Sequence, residues 1–293
     1  MTGQLVRRSW LVIPGDRTDL IEQSQSFGAD VVVFDLEDLV HDARKHAARA
    51  GIRDGIERAR RGGAEVFVRC DLELLYADLE ASVWRGLQGI ILPKVSSVEQ
   101  IHEAEDLLAH FEAERGVMQA GLLHEVNEFD EPRSVENSLE IHLSLENAEG
   151  NNAAWALITS SPRVRSVSLG RADLVMDLRG EPNGELHLMP FLMQRLIVVA
   201  NATGVSPVGA WWRAGSRGLR ANADDTFESA RLGRLAGFKG ALCVEPEQVA
   251  VLSRGFTPTD AEVRSAPVLT TWAAACRARD DSRRQAIEWA SNE

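Results

Sequence analysis

Two acidic side chains are spaced so that a parallel α/β barrel would bring them together. Glu146 ends the run HLSLE and Asp173 follows the run VSLG, which are the fifth and sixth of eight apolar runs along the chain. The carboxyl ends of adjacent parallel strands meet at one end of a barrel. Two carboxylates with room for water are typical ligands of Mg²⁺ or Mn²⁺. The spacing therefore predicts a metal site; a helix cap at Glu146 and a solvated Asp173 are the alternative.

Further charged side chains follow other apolar runs. Arg69 ends the run VFVR, where a guanidinium could bind a carboxylate with two hydrogen bonds or offset the charge of an enolate oxygen. Glu37 and Asp38 follow VVVFD, where acidic groups would orient water around a metal or form a salt bridge with Arg69. Arg17 lies in a turn before a helix, and we predict that it binds an anionic part of a ligand. Lys94 is expected to pair with these carboxylates rather than to form a Schiff base.

Alternating strands and helices would position these side chains. Each short apolar run is followed by a longer amphipathic stretch, which predicts parallel strands joined by helices. Eight strands predict an α/β fold, a TIM (β/α)8 barrel with a C-terminal helical extension. We expect residues 1–255 to form the catalytic barrel and residues 256–293 to form a helical lid or an oligomerisation arm. The predicted strands are Ser9–Ile13, Asp30–Asp35, Glu65–Arg69, Gly89–Pro93, Glu140–Glu146, Ser166–Gly170, Ser206–Trp212 and Gly240–Val244.

Helices are predicted where apolar residues recur at helical spacing and charges occupy the other positions. One acidic segment, His124–Ser138, has no such period and is predicted to be an inserted loop. The clearest predicted helices are Thr18–Phe27, Ala43–Arg61, Ser97–Ala113 and Leu186–Thr203.

The composition is that of a globular protein, with 44% hydrophobic and 26% charged residues. Lys and Arg total 32 against 44 Asp and Glu, a net charge of −12 that argues against nucleic acid or an anionic membrane surface as a partner. Cys70, Cys243 and Cys276 are too far apart to indicate a zinc site or a disulfide framework, which favours a reducing cytoplasm. No apolar run reaches the roughly 20 residues that span a bilayer. We therefore expect a cytoplasmic protein that acts on a small molecule.

Seven motifs in order resemble the citrate lyase beta-subunit-like branch of the HpcH/HpaI aldolase family: LVIPGDR, VVVFDLED, VFVR, GIILPKV, SLEN, SLGRADL and GALCVEPEQV. The resemblance implies a TIM barrel that uses Mg²⁺ to cleave or form a carbon–carbon bond in a 3-hydroxyacyl-CoA such as citryl-CoA or malyl-CoA. It implies that Glu146 and Asp173 bind the metal and that Arg69 binds substrate. Glu37 and Asp38 would hold metal-bound water. It also implies a homo-oligomer, a trimer or a hexamer.

Four of the motifs differ from the family pattern. Relatives often have LIET, GAEDL and VRVN where this chain has LSLEN, GRADL and VRCD. Where they have GKLCIHP this chain has GALCVEP, so Ala241 and Glu245 replace a lysine and a histidine near the expected CoA end. The lost positive charge keeps two alternatives open: a metal-dependent aldolase for free 4-hydroxy-2-oxo acids, and a barrel that binds a ligand without catalysing a reaction.

Overall fold

The computed structural model describes residues 5–117, 138–178, 190–211 and 222–290. Its centre is a set of short strands that are buried along nearly their whole length. Most of them are rich in valine, isoleucine and leucine, which pack well on a pleated surface covered on both faces. The strands are β1 (Ser9–Pro14), β2 (Val31–Asp35), β3 (Glu65–Arg69), β4 (Gly89–Leu92), β5 (Glu140–Leu145), β6 (Val164–Leu169), β7 (Ser206–Val208) and β8 (Ala241–Cys243).

These eight strands form one parallel sheet that curls into a barrel. They lie in the order β7-β6-β5-β4-β3-β2-β1-β8. A parallel bridge between Val208 and Gly240 brings the two ends of the sheet together, and the Gly209 N–H donates a 2.6 Å hydrogen bond to the Gly240 carbonyl. The predicted TIM barrel is therefore confirmed.

Helices cover the outside of the barrel, as the alternation of the sequence predicts. None of the helices described is both long and apolar enough to cross a lipid bilayer. The described helices are α1 (Thr18–Gln23), α2 (Asp42–Arg61), α3 (Leu75–Ser82), α4 (Val98–Arg115), α5 (Ala148–Asn152), α6 (Ala154–Thr159), α7 (Arg171–Asp177), α8 (Pro190–Thr203), α9 (Ala223–Ala236), α10 (Glu247–Phe256), α11 (Asp260–Ser265) and α12 (Thr270–Ala290).

Side chains fill the space between strands and helices and also the inside of the barrel. An apolar cluster that includes Trp10, Val33 and Phe67 occupies the inside. In β5, Ile141, Leu143 and Leu145 join the separate cluster under the helices. Because side chains alternate along a strand, the intervening polar residues of β5 point into the barrel. One of these residues, His142, lies next to the inner cluster, and the centre of its imidazole ring is 5.2 Å from the centre of the Trp10 ring.

Several sequence predictions of element bounds differ from the structure or fall outside the residues it describes. The seventh strand ends at Val208, where it bridges to Gly240, and of the four further residues predicted for it Trp212 lies outside the described part of the chain. The eighth helix begins at Pro190, and the four residues predicted before it lie outside the described part of the chain. The predicted loop His124–Ser138 lies outside it as well, except for Ser138.

The C-terminal helix α12 packs at the amino ends of the strands. Asp280 Oδ1 lies 2.6 Å from Nη2 of Arg8, which immediately precedes β1. Arg283 Nη1 lies 3.0 Å from Oδ1 of Asp30, which immediately precedes β2. A cavity of about 750 Å³ lies on this side, between α9, α10 and α12. The helix therefore does not cover the carboxyl ends of its own strands, and its action as a lid on another subunit or as an oligomerisation arm stays a prediction.

Candidate active site

Charged side chains gather where the strands end, at what we call the mouth of the barrel. Each is placed by the last residue of a strand or by the loop that follows it, so the sheet fixes their spacing. Seven of them interact with one another, directly or through a shared neighbour: Asp35, Glu37, Asp38, Arg69, Lys94, Glu146 and Asp173.

Glu146 follows β5 and is almost completely buried, with 3% of its surface exposed. The Ser144 hydroxyl hydrogen-bonds to its carboxylate. The Oε2 atom is buried and has no hydrogen-bond partner. A buried carboxylate oxygen without a donor is costly unless something else binds it. The Glu146 environment therefore calls for a cation or a donor that the described residues do not supply.

Burial raises the pKa of Glu146 to about 7. The Ser144 hydrogen bond and the charge of Arg69 act in the opposite direction, whereas the negative charges of Glu37 and Asp173 add to the rise. The charges of Arg69, Glu37 and Asp173 are therefore all near enough to act on Glu146. The structure therefore brings together four of the residues that the sequence analysis singled out.

Gly170, which follows β6, allows the close approach that places Asp173 beside Glu146. A Cβ on Gly170 would lie 2.2 Å from Cγ and 2.5 Å from Cδ of Glu146, so a larger residue does not fit without moving the carboxylate. Gly170 is also the N-cap of α7, and Asp173 lies in the first turn of that helix, half-buried. A carboxylate in the first turn is favoured by the partial positive charge of the helix N-terminus.

Arg69, at the end of β3, is held by carboxylates on two sides. Its Nε donates a 3.0 Å hydrogen bond to Oδ1 of the fully buried Asp35, and its Nη2 donates to Oδ2 of the same residue. Nε also lies 3.4 Å from Oε2 of Glu37. Carboxylates of the described residues thus pair with Nε and Nη2 of Arg69. The sequence predicted that Arg69 would bind substrate or form a salt bridge with Glu37 or Asp38. Among the described residues, the structure shows the salt bridge with Glu37 and none with Asp38.

Lys94 crosses the mouth and pairs with both acidic residues that follow β2. Its Nζ lies 2.6 Å from Oε1 of Glu37 and 3.0 Å from both carboxylate oxygens of Asp38. Burial works against the charge of Lys94, but the hydrogen bonds to Glu37 and Asp38 outweigh it and raise the pKa of the amine. The expected ion pairing of Lys94 is what the structure shows. Its backbone is left-handed, with φ 54°, a conformation that residues other than glycine rarely adopt.

Arg17 is the candidate residue that lies apart from this group. It precedes α1 in the turn after β1, and its guanidinium is about half exposed. It donates hydrogen bonds of 2.9 and 2.7 Å to the carboxylate of Asp19. Its proposed contact with an anionic ligand would therefore take place at the rim of the mouth and would compete with Asp19.

The chemistry of the mouth fits a divalent cation. The seven interacting side chains comprise two cations and five carboxylates, a formal charge of −3. In the described part of the chain, no group of three or more His, Cys, Asp or Glu side chains is arranged to hold a metal ion. Mg²⁺ is usually held by one or two carboxylates and completes its coordination with water and substrate oxygens. The carboxylates of Glu146, with its unpartnered Oε2, and of Asp173 are therefore a suitable pair of ligands for Mg²⁺.

Metal affinity should depend on pH because the pKa of Glu146 is raised to about 7. Below that pH the metal-free carboxyl carries a proton, and the proton must leave before a metal binds. Since one proton is displaced, Mg²⁺ affinity should rise up to about tenfold per pH unit below pH 7 and level off above it. Isothermal titration calorimetry between pH 5.5 and 8.5 measures this dependence, and a constant affinity over the range would contradict it.

Comparison with known proteins places the chain in a family. Residues 8–246 match the model of the HpcH/HpaI aldolase/citrate lyase family. The chain belongs to this family. The resemblance stated from the sequence motifs is thus confirmed, and so is the prediction that the protein is an enzyme of the carbon–carbon lyase class.

Relatives of known function share most of the chain's length. The citrate lyase subunit beta of Leuconostoc mesenteroides subsp. cremoris is 25% identical over 272 residues, which cover 91% of this chain and 82% of the relative. A (3S)-malyl-CoA thioesterase of Cereibacter sphaeroides is 28% identical over 265 residues, covering 88% and 80%. Among solved structures, protein CitE of Mycobacterium tuberculosis in complex with magnesium, acetoacetate and coenzyme A has a TM-score of 0.64 at 22% identity, covering 94% and 98%. This likeness confirms the fold.

Two features of the site were missed in the sequence. Asp35 is the main partner of Arg69, a role that the sequence analysis does not predict. The sequence analysis also assigns no role to the polar residues inside β5, His142 and Ser144. The signal for them was present, because EIHLSLE alternates strictly between polar and apolar residues.

Proposed function

We propose that this protein is a magnesium-dependent lyase that cleaves or forms a carbon–carbon bond in a 3-hydroxyacyl-CoA such as malyl-CoA or citryl-CoA. The observation that carries the proposal is the buried Oε2 of Glu146, which has no hydrogen-bond partner among the described residues, in a carboxylate that lies near enough to Asp173 to be affected by its charge. Glu146 and Asp173 would hold the metal. When bound, Mg²⁺ would ligate oxygens of the hydroxy-acid portion and offset negative charge on them.

The protein's own side chains would orient the substrate and balance charge. Arg69 has Nε and Nη2 engaged by described carboxylates, which leaves Nη1 for an oxygen of the substrate or of the enolate that forms when the bond breaks. The bonds to Asp35 keep the guanidinium in a fixed plane, so its donor needs little reorganisation. Glu37 lies between Arg69 and Lys94, and Asp38 pairs with Lys94, so these carboxylates would keep both cations in place. Water bound near the metal would find acceptors in Glu37 and Asp38.

The names of the relatives and an exposed glutamate near β8 favour different substrate classes. Two curated relatives are a citrate lyase subunit and a malyl-CoA thioesterase, and one solved relative holds coenzyme A, which supports a CoA ester. Arg17 at the rim is the residue that we propose for an anionic part of that ester. Glu245, exposed just after β8, favours a second candidate, an aldolase for free 4-hydroxy-2-oxo acids, because its charge would repel a phosphate.

A substrate comparison tests the proposal. Purified protein with Mg²⁺ is incubated with malyl-CoA, citryl-CoA and a set of free 4-hydroxy-2-oxo acids, and products are identified by mass spectrometry. Acetyl-CoA with glyoxylate or oxaloacetate is the expected result. Pyruvate from the free acids alone would move the activity to the aldolase, and malate with free CoA would identify thioester hydrolysis instead.

Arg69→Lys should lower kcat/KM by about 100-fold, in the range found when a donor to a developing oxyanion is removed. An ammonium lacks the planar fork of a guanidinium, so it cannot reproduce the paired bonds to the two oxygens of Asp35 and keep a further donor aimed at a substrate oxygen. Steady-state kinetics on the best substrate measures the effect. Arg61→Lys, at an exposed arginine of α2, is the control and should leave kcat/KM unchanged. Unchanged kinetics in Arg69→Lys would reduce Arg69 to a structural role.

A further inference from the structure

A line of polar side chains runs through the inside of the barrel to Glu146. His142 is fully buried, its Nδ1 is 2.8 Å from the hydroxyl of Ser166, and its Nε2 is 2.8 Å from that of Ser168. The Ser168 hydroxyl donates to Ser144 over 3.3 Å, and Ser144 hydrogen-bonds to Glu146. Oε2 of Glu146 has no partner among the described residues, so we assign the Ser144 hydrogen bond to Oε1. We call His142, Ser168 and Ser144 the hydroxyl chain.

The surroundings of the hydroxyl chain keep His142 neutral. Burial lowers the pKa of His142 to about 3, and the positive charge of Arg7 acts in the same direction. Arg7 itself is paired with Glu65 and Glu140 at the amino ends of the strands. A neutral imidazole has one nitrogen that donates and one that accepts. His142 therefore has two possible proton arrangements.

The carboxylate at the other end decides between them. An ionised carboxylate only accepts hydrogen bonds, so the Ser144 hydroxyl must donate to Glu146. The Ser144 oxygen then accepts from Ser168, and the Ser168 oxygen must accept from His142. This sequence requires the proton of His142 on Nε2, with Nδ1 accepting from Ser166. Every hydroxyl then donates towards Glu146, and hydrogen bonds aligned in this way strengthen one another.

We propose that the hydroxyl chain positions Glu146: His142, fixed in the Nε2–H tautomer, orients the hydroxyls of Ser168 and Ser144 so that Oε1 is held and Oε2 is presented to the mouth. Its part in metal binding rests on the proposed function. The tautomer of His142 does not, because it follows from the metal-free hydrogen-bond geometry with Glu146 ionised. His142, Ser168 and Ser144 are positioning residues, since they act on the mouth only through Glu146.

The first test is the tautomer of His142 in the metal-free protein. Nitrogen-15 NMR of protein labelled at histidine distinguishes a protonated from an unprotonated ring nitrogen, and the His142 signals are assigned by their loss in His142→Gln. We expect a protonated Nε2 and an unprotonated Nδ1 at pH 8. Ser144→Ala removes the donor that Glu146 aligns, so it should convert the His142 signals to those of a tautomer mixture.

The second test is metal affinity, measured with Mg²⁺ by calorimetry and with Mn²⁺ by electron paramagnetic resonance. Ser144→Ala should weaken binding by about tenfold, as is typical when a residue that orients a metal ligand is removed. Ser168→Ala should have a smaller effect, and Ser144→Thr, which keeps the hydroxyl, should restore affinity. Ser253→Ala is the matched control, because Ser253 is also buried and hydrogen-bonded to a serine, Ser9, but far from Glu146. It should bind metal as the wild type does.

The outcomes separate this proposal from the proposed function. A proton on Nδ1 of His142 would overturn the positioning proposal, and so would unchanged metal affinity in Ser144→Ala. Wild-type protein that binds neither metal would contradict the proposed function instead. In that case the tautomer, and its response to Ser144→Ala, still decide whether the hydroxyl chain holds Glu146.

Discussion

Replacing Glu146 with glutamine should weaken Mg²⁺ binding by at least about 100-fold, beyond the usual effect of removing a residue that only orients a ligand. The amide has the shape of the carboxyl but carries no charge, and its nitrogen cannot ligate a metal. Metal-dependent activity should disappear with the affinity. The metal-free variant should nevertheless unfold at the same or a higher temperature above pH 7, because the wild-type carboxylate is buried and its pKa is raised to about 7. Calorimetric titration and thermal unfolding measure the two quantities.

Two further variants make the Glu146 result specific. Asp173→Asn should also abolish metal binding, since it removes the second carboxylate of the pair. Glu103→Gln removes an exposed carboxylate of α4 and should change neither metal affinity nor stability measurably. Full metal affinity in both Glu146→Gln and Asp173→Asn would contradict the assignment of the pair as the metal site.

Gly170→Ala should lower metal affinity and activity by about 10- to 100-fold, as expected when a metal ligand is displaced. The backbone of Gly170, with φ −81° and ψ 96°, is open to alanine, so the added methyl acts through contact rather than through strain. That methyl would meet Cγ of Glu146 at 2.2 Å and force the carboxylate to move. Metal titration and steady-state kinetics are the measurements.

Gly51→Ala is the matched control for Gly170→Ala. A Cβ on Gly51 has nothing within 4 Å, and its position within α2 favours alanine. The control should be fully active and equally or more stable. If Gly170→Ala binds metal and turns over substrate as well as Gly51→Ala does, the close packing of β6 against Glu146 has no role in the site.

The sequence was informative about the fold because the pattern of a parallel barrel is local. Runs such as VVVF are apolar on both faces, and helices such as α2 and α4 end at a glycine, Gly62 and Gly116. The bounds that were wrong depend on distant contacts instead. The seventh strand ends at Val208, where the sheet closes by a bridge to Gly240, a residue far away in the chain that no local pattern records.

For the site, the sequence predicted which residues meet but not how they pair. Adjacent strand ends follow from the order of the strands, so the proximity of Glu146 and Asp173 was predictable. The choice of Asp35 as the main partner of Arg69 depends on side-chain conformations across two strands. The left-handed backbone of Lys94 likewise depends on the turn that follows β4.

The most direct measurement of the proposed activity is the mass-spectrometric detection of acetyl-CoA formed from malyl-CoA or citryl-CoA, with Mg²⁺ and with excess chelator. We expect acetyl-CoA to form with Mg²⁺ in the wild type and to be absent with chelator and in Glu146→Gln. Acetyl-CoA formation that neither the chelator nor Glu146→Gln reduces would contradict a magnesium-dependent lyase whose metal is held by Glu146.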